Sequence, residues 1–384
     1  MALTIILYSA AVLLIVSALS LFLHNRAAGR VVVYGTSLLV CGAGIVVSLV
    51  QLLGQGSTES LTLPIGLPWL GAHFRLDALA AFFLVVVNLG GAAASHYALG
   101  YGKHEQSPQR VLPFYPLFIA AMNLVTVADD AFSFLFSWEF MSLSSWALVM
   151  AHDQVRENVR AGYIYLVMAS FGTLALLLGF GLLAGTEGQY AFDAIRESYP
   201  STALSALVLI LVLIGTGSKA GLVPLHAWLP LAHPAAPSHV SGLLSGVMTK
   251  VAVYAFVRIV FDLLGTPEWW WSMLVLALAG VTCVMGVLYA LMQHDLKRLL
   301  AYHTVRISAS SSSASVSPSA SRASASAGPR RSPSPRRCCM CSTIRCSKIS
   351  CSSARARCLA RPASATWSIS AASFTACRSP PSPS

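Results

Sequence analysis

The sequence predicts an all-α polytopic membrane protein of about nine transmembrane helices, the seventh of them broken, followed by a disordered tail. Three observations carry this. Of the 384 residues, 56% are hydrophobic and only 10% are charged, where a soluble domain of this size has about a quarter charged. Apolar runs fall at 3–23, 31–53, 76–97, 111–128, 131–151, 161–184, 203–223, 238–262 and 269–292, each near the roughly 20 residues that cross a bilayer. Basic residues also prefer alternate loops. An ordinary cytosolic enzyme and a mostly disordered chain are both excluded.

Each run reads as one helix. The first lacks a basic leading segment and a small-residue cleavage pattern, so it reads as a retained helix rather than a signal peptide. With the N-terminus outside, the loops facing the cytoplasm hold Arg26 and Arg30, Lys103 and Arg110, Arg156 and Arg160, then Lys297 and Arg298. The opposite loops hold Glu59 and Arg75, Asp129 and Asp130, then Glu187, Asp193, Arg196 and Glu197, then Glu268. This is the asymmetry expected of a multi-pass protein whose basic loops stay inside. Tyr101 and Trp269 to Trp271 fall at the interfaces, where amphipathic rings are favoured.

Composition divides the chain in two. From Arg306 to Ser384 there is no Asp or Glu, yet the segment holds 12 of the 25 Lys and Arg and 7 of the 9 Cys. Residues 1–305 keep 13 basic against 14 acidic side chains, so the isoelectric point near 9.4 belongs to the tail. The membrane part has only Cys41 and Cys283, and neither a disulfide framework nor a metal site is indicated. No phosphate-binding loop, dinucleotide fingerprint or haem motif occurs. No cofactor is expected, and any redox chemistry is placed in another subunit.

Three charged residues lie deep in the apolar runs. A charge at a helix centre costs roughly 2.5–3.5 kcal/mol on the insertion scale, so such residues face a polar interior and mark a pathway. Glu139 sits in FSFLFSWEFMSLSSW, where Ser142 and Ser145 extend a narrow polar stripe. The plainer reading is a buried acid that glues two helices. Lys219 lies among Gly215, Gly217, Gly221 and Pro224, a cluster that breaks the helix. Breaks at membrane depth are tolerated where they are buried or line a wet cavity; the alternative is an interfacial lysine reaching for headgroups. Lys250 is mid-helix and shares a face with His239 and Gly246, while Gly242 and Gly246 form a small-residue contact surface. His226, His233 and His239 are further candidates for moving protons, each also readable as a structural hydrogen-bonding residue. Arg258 and Asp262 read as an interfacial pair, and Asp77 as a helix N-terminal charge.

These residues resemble a known family. The stretch VPLHAWLPLAHPAAPSHVSGLLSGVMTKVAVYAFVR, with LMQHDLKRLLAYHTV after the next helix, is similar to the antiporter-like membrane subunits of complex I and its relatives, particularly those of hydrogenase-4 and formate hydrogenlyase. The similarity covers about 76–305. It implies a proton-translocating core of two inverted five-helix repeats, each with a broken helix. It also implies partners: other membrane subunits of a hydrogenase or complex I-like assembly in the bilayer of a bacterial inner membrane, with no nucleic acid. Carried over, Glu139 matches the essential glutamate of the fifth helix, Lys219 the broken-helix lysine and Lys250 the bridging lysine of the eighth. His226, Trp228, Leu229 and Pro230 match the element beside the break. The domains expected are 1–110, N-terminal helices; 111–262, a first repeat; 263–305, the first helix of a second; and 306–384, the tail. The second functional reading is a subunit of a multi-subunit cation/proton antiporter.

The tail departs from the family, which continues after the His-Thr-Val with Glu-Asn and apolar helices. One base lost near codon 306 explains this. A UCN serine then hides a codon for Phe, Leu, Ile or Val, and Arg306 to Ser311 restore to Glu-Asn-apolar-Gly-apolar-apolar. Ser342 to Arg357 restore to an apolar segment with its own lysine. Sequencing the locus tests this; a second reading is a genuine Ser/Arg-rich tail. On the frameshift reading the product holds one of two expected half-paths and does not pump.

Overall fold

The computed structural model describes residues 1–323 except 24–26, 55–57, 69, 106, 186–187, 199–200 and 266–267, with the backbone alone for 27, 104 and 311–323. Arg26, Glu187 and the tail beyond Ala323 therefore lie outside the described residues. Among those described, nine helices are long and apolar enough to span: α1 Ala2–Leu23, α2 Ala27–Leu53, α3 Ala78–Tyr101, α4 Pro108–Val127, α5 Ala131–Val149, α6 Arg156–Ala184, α7 Thr202–Ala220, α8 Ser238–Leu263 and α9 Trp269–Leu291. A tenth, α10 Leu296–Ala323, follows. The nine apolar runs of the sequence correspond to these nine spans.

Burial separates the helices by role. α1 buries Leu3, Ile6, Ala10, Leu13, Val16, Ser17 and Ser20 at helical spacing and leaves Tyr8, Ile15 and Phe22 exposed. A helix apolar all round, with one side packed, has its other side suited to lipid. α8 is the opposite case, almost wholly buried, and stands at the centre of the bundle. It contains two π-helical segments, Leu244–Met248 and Arg258–Leu263, a distortion that recurs at functional sites.

A hairpin joins α2 to α3, an element the sequence reading passes over. Strand β1 (Glu59–Leu63) pairs antiparallel with β2 (Ala72–Leu76), Glu59 opposite Leu76. Glu59 accepts from the N-terminal amine at 2.7 Å and from the amides of Ala2 and Leu3. These are orphan donors of the first turn of α1. The hydrogen bond from the amine holds the Glu59 carboxyl below its ordinary range. β2 then delivers Asp77 to the start of α3, where it caps the helix through the Ala80 amide at 2.8 Å, as the sequence suggested. Asp130 does the same for α5, accepting from Ser133 and, across the fold, from His73.

Two sequence expectations change here. α10 continues through Arg306 to Ala323 instead of ending at a disordered segment from 306. Ala301, Val305 and Ala309 are fully buried, so the apolar stripe crosses the composition boundary at four-residue spacing, and Gly286 of α9 lets the α10 backbone approach. Arg258 is more than one half of a surface pair with Asp262. It is 3% exposed and grips Asp77 with two hydrogen bonds, of 2.7 and 2.8 Å.

Candidate functional site

The break after α7 has a local cause. Gly221 takes a left-handed conformation (φ +77°) that side chains disfavour, and its amide closes on Gly217 O at 2.9 Å. The chain then runs through Pro224 and re-enters a half-helix, Trp228–Ala235. Trp228 Nε1 donates to Ser218 O at 2.6 Å, satisfying a carbonyl freed by the break. Lys219 is thus held in the last turn of a terminated helix, 1% exposed.

Lys219 Nζ donates to the Tyr165 hydroxyl at 2.8 Å. That hydroxyl is shared by four helices: Lys219 on α7, Tyr165 itself on α6, Ser145 Oγ on α5 at 2.6 Å, and Met248 Sδ on α8 at 3.7 Å. A hydroxyl accepts from an amine while donating its own proton onward. A hydroxyl so placed can pass a proton between the amine and the serine hydroxyl. Met248 lies two residues before Lys250. The Tyr165 ring packs edge-on against Trp228, centroids 4.8 Å apart.

Glu139 and Lys219 share no hydrogen bond or ion pair among the described residues: the lysine's hydrogen bond goes to Tyr165, and the Glu139 charge reaches both Lys219 and Tyr165 through space. The reason is packing. α6 and α7 approach backbone to backbone, since a Cβ on Gly215 would stand 2.8 Å from Gly172 O, and this puts Tyr165 over the lysine. Gly215→Val is expected to force these helices apart and cost about 1–3 kcal/mol, read as a lower thermal midpoint in detergent together with a weakened Tyr165 environment in near-ultraviolet dichroism.

Lys250 is 4% exposed, midway along α8. Tyr254, Arg258 and Asp262 follow it at four-residue spacing on the same face. Beside it runs a ladder of hydroxyls: Thr249 Oγ1 donates to Ser245 O at 2.8 Å, and Ser245 Oγ to Ser241 O at 3.1 Å. His233 Nδ1 meets Ser241 Oγ at 2.7 Å, joining the half-helix to this ladder. His239 is buried, with Nε2 3.3 Å from the Tyr34 hydroxyl. His226 lies apart, its ring near Tyr289 and Tyr302. Trp138 Nε1 and His239 Nδ1 are buried without a hydrogen-bond partner in the protein, and buried polar atoms of this kind are completed by water. Sequence reasoning missed Tyr165, because a tyrosine in an apolar run carries no sign of its partner.

Residues 128–308 match the family model described as NADH:quinone oxidoreductase/Mrp antiporter, TM. This span, a little under half of the chain, is similar to this family's transmembrane domain. The matched span includes Glu139, Lys219 and Lys250. Among curated relatives, "Hydrogenase-4 component B" of Escherichia coli (strain K12) is 41% identical over 236 residues, covering 60% of this chain and 35% of the relative. "Formate hydrogenlyase subunit 3" of the same organism is 29% identical over 231 residues, covering 60% of this chain and 36% of the relative. The chain thus spans about a third of the length of these two relatives. A subunit in the structure of the Mrp complex from Dietzia sp. DQ12-45-1b superposes with a TM-score of 0.68 at 23% identity, over 81% of this chain and 58% of that one. The fold is therefore shared with that subunit.

Proposed function

We propose that this chain is a proton-translocating membrane subunit of a hydrogenase-4-type or complex I-like oxidoreductase, with electron transfer carried out in partner subunits. The observation that carries the reading is the buried Lys219–Tyr165–Ser145 contact at a helix break, with a second buried lysine on the neighbouring helix. Glu139 acts through its field: a carboxylate stabilises the ammonium form of Lys219, and loss of that charge favours release of its proton. The proton passes to the Tyr165 hydroxyl and on toward Lys250, with His226, His233 and His239 and water as further carriers. The family match and the relatives in hydrogenase complexes support this reading. The N-terminus is placed outside a bacterial inner membrane on the alternation of basic loops.

The frameshift reading expects no pumping by this chain. Passive conductance is a weaker demand, which asks only for a continuous relay with water and not for coupling to a redox step. Proteoliposomes holding this chain, under an imposed potassium diffusion potential, are expected to take up protons faster than empty vesicles. Glu139→Gln is expected to slow uptake at least about tenfold. Uptake no faster than in empty vesicles, or unaltered by this substitution, overturns the proposal. The family description also names Mrp antiporters, which keeps the cation/proton antiporter as a second reading. Uptake that depends on sodium or potassium opposite the proton gradient would select it.

A further inference from the structure

At the end of the bundle away from the Asp77–Arg258 contact, the α3–α4 connection and the first turn of α4 meet the α5–α6 connection in two ion pairs of unlike character. Arg110 and Asp153 pair at 2.5 Å in the open, their side chains 50% and 35% exposed. Glu105 and His152 pair at 2.8 Å, but the Glu105 side chain is only 4% exposed and His152 is 27% exposed. The first bridge already ties the two connections together. The second places a carboxylate inside the protein, with its imidazole partner still touching solvent. Burial opposes ionisation of Glu105, but the hydrogen bond and charge of His152 outweigh it and hold the carboxyl below its ordinary range.

Behind this pair stands His239. Tyr101, four residues before Glu105, packs its ring 5.9 Å from that of His239, and the Glu105 charge reaches both His239 and Tyr34. The His239 ring is enclosed by Tyr34, Tyr115 and Tyr101 at centroid distances of 5.4 to 5.9 Å. It is 3% exposed, hydrogen-bonded to Tyr34 through Nε2, and without a protein partner at Nδ1. A buried imidazole with one free nitrogen, behind a carboxylate–imidazole pair that reaches solvent, has the parts of a proton conduit: an exposed group, a buried acceptor, and a ring able to take a proton on one nitrogen and give it from the other. His239 opens α8, the helix of Lys250, about 16 Å further along at 1.5 Å per residue. The Ser241, Ser245 and Thr249 hydroxyls line that interval. The charged groups nearest the pair include Asp153, beside His152 and held by Arg110, Lys103, exposed two residues before Glu105, and cations bonded to backbone carbonyls. Of these cations, Arg30 donates to Gly102 O, and Lys297 donates to Pro234 O and Ala236 O.

We propose that Glu105 and His152 form a proton entry port, which passes protons from the face bearing the α3–α4 and α5–α6 connections to His239 and so toward the lysine relay. The port rests on the proposed function for what the proton serves, but its test is read at His239 alone. In the full chain in lipid nanodiscs with 15N-labelled histidine, the His239 ring signal is identified by its loss in His239→Gln, and exchange of its N–H proton with water is measured. Glu105→Gln and His152→Gln are each expected to slow this exchange about tenfold or more, and imidazole added to His152→Ala to restore it. A merely structural pair predicts the reverse, because loosening the loops exposes His239 and speeds exchange.

Slow exchange in the unsubstituted chain, or exchange unchanged or faster in the variants, overturns the port. Should Glu105→Gln fail to fold, Glu105→Asp keeps the carboxylate and is expected to stay near the unsubstituted rate, while His152→Gln slows. Lys219→Ala should leave His239 exchange unaltered. Conductance lost in Lys219→Ala with no slowing in Glu105→Gln sinks the port alone. Port-dependent exchange in a chain with no conductance sinks the function and keeps the port.

Discussion

Proton uptake by vesicles carrying this chain is expected to fall about a hundredfold or more when Lys219 is replaced by methionine, and at least about tenfold in Tyr165→Phe. The lysine is the group whose charge state is exposed to Glu139, and methionine preserves its bulk and flexibility while removing the titrating amine. Phenylalanine preserves the ring that packs on Trp228 but removes the oxygen linking Lys219, Ser145 and Met248. The amine would then lack its acceptor, at a cost of about 1–3 kcal/mol for an unsatisfied buried group. A purely structural tyrosine would lower thermal stability by that amount and leave conductance per folded molecule intact. Conductance measured against folded protein separates the two, and full conductance in Tyr165→Phe would remove Tyr165 from the path.

The largest loss of stability is expected at Arg258. Its guanidinium holds Asp77 through two hydrogen bonds and Asp262 through a third, at 3.0 Å, while Nε donates to Tyr254 Oη at 3.1 Å. Asp262 in turn is held by Arg196, which also reaches Asp129 and Asp193. Arg258→Met would leave the Asp77 carboxylate largely buried without its main counter-charge, a change that costs about 3–5 kcal/mol for buried pairs. The double variant Asp77→Asn, Arg258→Met is expected to recover a large part of this, because the stranded charge is gone. Burial resists ionisation of Asp77, but Arg258 outweighs it and lowers its carboxyl from the ordinary range. The pair's stabilisation is therefore fully present above the unfolded aspartate value of about 3.9 and is lost as pH falls through the lower folded value. Thermal midpoints from pH 7 down to 3 check the sign; a single variant no less stable than the double would show that the pair is not coupled.

The cluster around Arg258 shows where local reading stops. Asp77 as a helix cap was legible, since an acid one residue before an apolar run has a short-range role. Its second role was not, because Arg258 lies 181 residues away and nothing in either neighbourhood names the other. Arg258 and Asp262 at four-residue spacing looked like a self-sufficient pair, and that pairing exists at 3.0 Å. The bundle adds Arg196 and Asp77 to it and buries the arginine.

Much of the site follows the same division. The spans, the break near Lys219 and the burial of Lys219 and Lys250 were readable from hydropathy and from glycine and proline placement, because bilayer insertion and backbone sterics act over one helix or one turn. Glu139, by contrast, is only half-buried. The continuation of α10 past Arg306 was hidden by a change of composition, although Ala301, Val305 and Ala309 kept the helical period.

By itself, the sequence determined which segments cross the membrane, which charges they bury, and where the chain must bend, since each is a transfer or dihedral cost paid locally. Only the tertiary structure decided that Lys219 bonds Tyr165 and not Glu139, that Glu105 and His152 stand before His239, and that Arg258 closes on Asp77. Those contacts depend on the distance between helix axes, which at α6 and α7 is set by glycines on facing helices meeting backbone to backbone.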